Sequence, residues 1–168
     1  ERASMLIFAC EKLRKEKKLS GSEIAIGLWV GGNLTPNKLD VAKSSIAKLQ
    51  NGGILSGEDE NPCQIKVCPW CGAEISPHDY SVDMANKRMY IRCPNDDCYY
   101  HHVPNGLPLH IVDDALYIHL PAFVIATIDK FAQIPLSDKP AALFGISSQK
   151  NPPSLIIQDE LHLISGPL

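Results

Sequence analysis

Hydrophobic positions change their period several times along this chain. Over residues 2–18, Leu6, Cys10 and Leu13 recur at helical spacing, and Phe8 and Ala9 widen the stripe, which predicts an amphipathic helix. Lys12, Arg14, Lys15, Lys17 and Lys18 crowd its end, where cations suit both solvent and the negative pole of the helix dipole. Residues 23–30 are apolar nearly throughout, which predicts a strand inside a sheet, stopped by Gly31-Gly32. Thr35-Pro36 reads as a capped helix start, Leu39, Ala42, Ile46 and Leu49 as the buried face, and Asn51-Gly52-Gly53 as the stop. Residues 122–126 form another apolar strand. Leu155, Ile156 and Ile157 are apolar without alternation, as in a strand buried on both faces of a parallel sheet. Helices alternating with such strands define an α/β fold.

An acidic, polar connector over residues 57–62 breaks this pattern, and cysteines follow. Cys68-Pro69-Trp70-Cys71-Gly72 holds two residues between its cysteines, Cys93 and Cys98 hold four between them, and 21 residues separate the pairs. In such a turn the glycine lets the backbone fold back under the sulfurs, so that both thiolates face one ion. Two of these knuckles supply the four tetrahedral ligands that zinc prefers. Residues 82–92 have room for a hairpin entering the second knuckle, and residues 99–103 for a strand leaving it, the layout of a zinc ribbon. Four thiolates leave no open position, so this Zn²⁺ is expected to be structural. Cys63, His101 and His102 fit the pattern less well, and Cys10 is expected in the core. Tyr80, Arg88, Tyr90, Arg92, Tyr99 and Tyr100 interleave aromatics with cations. They suit either a stacking surface for single strands or, better in so small a unit, tyrosines packing a core with arginines solvating it.

Composition narrows the classes. A hydrophobic content of 45% over 168 residues supports a packed core, and a net charge of -3 argues against a protein that coats nucleic acid by bulk charge. No apolar run approaches the roughly 18 residues of a membrane span. Paired cysteines with metal spacing suit a reducing compartment, so a cytoplasmic protein is expected. A chain opening on Glu1-Arg2-Ala3 reads as an excerpt of something longer.

Three places carry candidate chemistry. Asp159 and Glu160, with His162 beyond them, follow the apolar run where parallel sheets place their ligands. They suit either a metal-bound phosphate or the cap of a following turn. Gly31-Gly32 allows close approach of a ligand, or simply turns the chain. Thr127 either caps a helix or marks amides that bind phosphate.

These residues also carry a resemblance. A strand closing on Asp159-Glu160-Leu161-His162 is similar to motif II, the Walker B element, of superfamily-two helicases. Three segments together resemble the large helicase-like proteins of bacterial phage-defence systems of the DISARM type: residues 27–32 (GLWVGG), 126–132 (ATIDKFA) and 155–168 (LIIQDELHLISGPL). The resemblance implies an ATP-dependent helicase or translocase, with Asp159 holding the Mg²⁺ of ATP through water and Glu160 activating the attacking water. His162 would couple nucleotide to nucleic acid, and Gly31, Gly32 and Thr127 would line the nucleic-acid groove, DNA being the expected partner. One departure limits this. No G-x-x-x-x-G-K-[ST] phosphate loop occurs in the chain, so the piece is expected to hydrolyse nothing alone.

The expected architecture is therefore a partial RecA-like parallel sheet over residues 1–61 and 107–168, with an inserted zinc ribbon at 62–106. The ribbon would bind DNA, meet a protein partner or brace the lobe, and the truncated sheet would either fold alone or pair with a second copy to cover its edges. The competing expectation is a non-catalytic zinc-ribbon binding module.

Overall fold

A computed structural model describes residues 2–31, 34–57, 59–132, 134, 137–146 and 150–159. Its elements run α1 (Arg2–Glu16), β1 (Ile26–Trp29), α2 (Leu39–Gln50), β2 (Tyr80–Asp83), β3 (Arg88–Ile91), β4 (Leu109–His110), α3 (Asp113–His119), β5 (Phe123–Ala126) and α4 (Ile128–Ala132). The fold is α/β. Strands β4, β1 and β5 form a parallel sheet in that order, while β2 and β3 form a separate antiparallel hairpin. Among the described residues no helix is long and apolar enough to cross a membrane.

β1 is the inner strand, as its unbroken apolar run predicts. Its register sets Ile26 opposite both Leu109 and Phe123, and Trp29 opposite Ala126. Parallel neighbours need long crossovers. The link from β1 to β4 contains α2 and the whole cysteine module, and the link from β4 to β5 contains α3. Gly27 makes the second link fit, because a Cβ there would lie 2.7 Å from Pro121 Cγ and closer still to Leu116 of α3.

One apolar cluster joins the sheet to the cysteine module, running from Phe8 and Ile26 through Leu39 and Ile46 to Cys93, Tyr100 and Leu107. Polar contacts reinforce the join. The Tyr100 hydroxyl donates to the Phe8 carbonyl, and Gln50 Nε2 donates to the carbonyls of Pro77 and Tyr80 at 3.0 and 3.1 Å.

Several expectations are corrected. α1 does not bury the Leu6/Leu13 stripe: both leucines are exposed, Cys10 is half-buried, and Ser4, Phe8 and Glu11 face inward. The Phe8 ring packs on Tyr100, and Glu11 is held by Arg14 Nε at 2.7 Å and the Ile24 amide at 2.8 Å. Those hydrogen bonds outweigh burial, which opposes ionisation, and leave its carboxyl below the usual range. Arg14, Lys15 at 3.6 Å and an amide thus recruit an acid to the face that hydrophobicity assigned to leucines.

Thr35 does not cap α2. It is buried with its hydroxyl directed at the Val30 carbonyl (3.5 Å), and the helix starts at Leu39 behind Lys38. Residues 99–103 form no strand; Tyr99–His101 is a 3₁₀ turn that drives Tyr100 into the core.

The largest correction falls on residues 155–157. Leu155, Ile156 and Ile157 are 75, 59 and 80% exposed and belong to no strand. A strand gains its place by pairing and by apolar cover. No described element covers these side chains, and the edge strand β5 itself leaves Phe123 and Ile125 exposed.

Candidate metal centre and the carboxyl end of the sheet

The cysteine module is assembled by local backbone turns. In the first knuckle the Cys68 amide donates to Ala73 O (2.8 Å) and the Gly72 amide to Cys68 O (2.9 Å), with Gly72 at φ +80°. That left-handed conformation strains any residue with a Cβ, so the glycine makes the turn affordable. In the second, the Cys98 amide donates to Asn95 O (2.9 Å) and the His101 amide to Cys98 O (3.0 Å). The β2–β3 hairpin carries the chain from one knuckle to the other.

The result is one cluster. The sulfurs of Cys68, Cys71, Cys93 and Cys98 all lie within 4.8 Å of one another, and Cys71 Sγ stands 3.5 Å from Cys93 Sγ. Zn–S bonds of about 2.3 Å at tetrahedral angles place sulfurs about 3.8 Å apart, so the donor set fits such an ion. All six cysteines of the chain are free thiols. Four cysteines so placed can bind a metal such as zinc, and with four sulfurs around it the ion is held rather than exposed to substrate.

The thiols also behave as a set. Burial pushes Cys93 and Cys98 up, whereas Cys71, although burial opposes it, is brought down to about 7 by the Ala73 amide and the neighbouring thiols. His101 and His102 stay outside the cluster and brace the second knuckle. His101 Nδ1 lies 2.8 Å from Cys93 O, and His102 Nε2 lies 2.7 Å from Asp96 O.

Of the residues that interleave aromatics with cations, Tyr80 and Tyr100 are buried and pack the core as the blander expectation held; Arg88 is buried too, and Tyr90 and Tyr99 are half-buried. Arg88 departs from it, since its Nη2 pairs with Glu23 Oε2 at 2.8 Å instead of meeting solvent. Beside that pair, His110 is buried and stacks on His119 at 5.1 Å.

At the carboxyl end of the sheet, pairing of Trp29 with Ala126 brings the segments after β1 and β5 side by side. The Thr127 amide donates to Trp29 O at 3.1 Å, and the Gly31 carbonyl accepts the amides of Leu34 and Thr35. The space over Gly31 is open. Thr127 does start α4, with the Lys130 amide donating to its carbonyl at 3.1 Å, but its buried hydroxyl has no hydrogen-bond partner among the described residues. Asp159 is exposed. Gly32, Glu160 and His162 lie outside the described residues.

Sequence reasoning missed a polar network beside Thr127. Lys130 is fully buried, and its Nζ donates to Asn37 Oδ1 (2.7 Å) and Asp113 Oδ2 (2.5 Å). Tyr117 OH donates to the same carboxylate at 3.1 Å and accepts Trp29 Nε1 at 2.9 Å. The adjacent acids Asp113 and Asp114, which stand in the first turn of α3, were the available signal for that helix. Nothing in the sequence pairs Asp113 with Lys130.

Fold and site together define an α/β protein with a four-cysteine cluster that can hold a metal ion. No protein-family model matches the chain. Along its whole length it is similar to DISARM protein DrmA of Bacillus paralicheniformis, 34% identical over 203 aligned positions. The chain spans 18% of that relative's length.

Proposed function

We propose that this chain is part of the first motor lobe of an ATP-dependent nucleic-acid helicase or translocase acting in phage defence, with a structural zinc ribbon inserted in a RecA-like sheet. The similarity to DISARM protein DrmA supports the phage-defence part of the reading, and the motor part rests on the resemblance of the Asp159-Glu160-Leu161-His162 segment to motif II. The parallel β1–β5 pair supports it, because it sets Gly31 and Thr127 at one carboxyl edge, where open α/β sheets bind ligands.

In this reading Asp159 would hold the Mg²⁺ of ATP, Glu160 would orient or deprotonate the attacking water, and His162 would link the nucleotide site to the groove. Gly31, Gly32 and Thr127 contact the nucleic-acid backbone, where phosphate contacts position the strand without reading its sequence. Zn²⁺ on Cys68, Cys71, Cys93 and Cys98 supplies folding energy to the ribbon and takes no part in hydrolysis.

The test separates the chain from its parent. Glu160→Gln in the intact protein should abolish ATP turnover while leaving DNA binding in place, and the 168-residue chain alone should show no magnesium-dependent turnover. Turnover by the isolated chain that Glu160→Gln removes would overturn the reading of it as half a site.

A further inference from the structure

Lys130 and Asp113 form a charge pair with almost no access to water, at 0 and 4% exposure. Removing two charges from solvent costs about as much as their attraction returns, so packing does not explain the pair. Its connections point elsewhere. Lys130 leads from the Thr127 turn, Asp113 heads α3, and Asn37 follows the loop after β1. None of these three stretches is hydrogen-bonded to another through the sheet. Lys130 Nζ reaches both other stretches at once, and the amides of Asp113 and Asp114 donate to the carbonyls of Pro36 and Asn37 at 3.3 and 3.1 Å. Trp29, the last residue of β1, closes the assembly through Tyr117 and through its ring against Phe131 at 5.6 Å.

We propose that Lys130 and Asp113 are positioning residues for a nucleic-acid backbone. The buried pair clamps residues 34–37 against the Thr127 turn, so the two phosphate-facing edges after β1 and β5 keep a fixed spacing. The proposal rests on the groove reading given above and adds what sets the groove's geometry. Thr127 opens the same turn as Lys130, whose amide donates to its carbonyl at 3.1 Å, so the clamp holds the Thr127 backbone as well.

The experiment uses the intact protein and a short single-stranded oligonucleotide. Lys130→Met and Asp113→Asn each strand one buried charge and should lower the melting temperature. The double variant removes both charges and should melt within a few degrees of the parent, with zinc content unchanged. Yet hydrogen exchange over residues 34–38 should quicken, and affinity should fall about tenfold at fixed salt. Because Lys130 acts through other residues, the salt dependence of binding should keep its slope. Unchanged exchange over residues 34–38 in the double variant would overturn the clamp. A slope lowered by about 0.7 would show Lys130 touching phosphate directly and overturn the positioning role. If the unmodified protein binds no oligonucleotide, the groove reading fails and the functional half of the proposal with it, while exchange still decides the clamp. Should the double variant not fold, Asn37→Ala removes the exposed acceptor of the same lysine and must give the same acceleration.

Discussion

The cysteine module and residues 154–159 carry the two strongest motifs in the chain, and the fold treats them differently. Each knuckle is closed by hydrogen bonds between residues at most five apart, so its cysteine spacing already contains its geometry. The apolar run before Asp159 contains no such closure. A buried strand is made by neighbours on both edges and both faces, and among the described residues Leu155 to Ile157 pair with no strand and are exposed. A motif that folds on itself can be read from spacing alone, whereas a motif that needs cover cannot.

The sharpest challenge to that contrast is metal removal. Cys68, Cys93 and Cys98 are buried in the shared core, and structural zinc contributes about 10–16 kcal/mol to small domains. Chelation should therefore collapse the module and lower the melting temperature of the whole chain, with about one equivalent of zinc found beforehand by metal analysis. Stability untouched by a strong chelator would remove the metal from the account.

Next in size is Tyr100→Ala, which takes a buried ring from between Phe8, Trp70 and Tyr99. A loss of about 3–5 kcal/mol in denaturant unfolding is expected, in a single transition if module and sheet share one core. Two separate transitions would show that the module folds apart.

A pH titration probes the same joint. Burial, then the charges of Arg88 and His119, lower His110 to about 3, against about 6.5 in the unfolded chain. Glu23 Oε2 is the facing acid, 3.9 Å from Nε2. Below about pH 6.5 the unfolded state binds the extra proton, so stability falls as pH drops toward 3, by at most about 1.4 kcal/mol per pH unit from this group. His110→Gln should flatten that part of the profile. An unchanged slope would mean that other groups carry the acid sensitivity.

The smallest effect belongs to the exposed run. Leu155→Asp with Ile157→Asp should move the stability of this chain by no more than about 0.5 kcal/mol, as for other surface changes. A loss several times larger would restore the buried strand.

Much of the scaffold was legible beforehand. The period-free run at 23–30 announced an inner strand, and β1 is flanked on both sides. Leu39, Ala42 and Ile46 announced the inner face of α2, and all three are buried. α1 was legible as a helix but not as to its face, because Glu11 is drawn inward by Arg14 and the Ile24 amide, partners that hydrophobicity does not register. Residues 99–103 were expected as the strand leaving the second knuckle of a ribbon, yet the knuckle's own hydrogen bonds bend Tyr99–His101 into a 3₁₀ turn.

The sequence by itself determined the α/β class, the inner strand and the four sulfurs, because apolar period and knuckle spacing act over a few residues. The tertiary structure alone decided that Lys130 meets Asp113 and Asn37, 17 and 93 positions away, and that Phe123, Ile125 and Leu155 to Ile157 are exposed. A buried charge and a covered strand are both defined by what the rest of the chain brings to them, and neither leaves a period in the sequence.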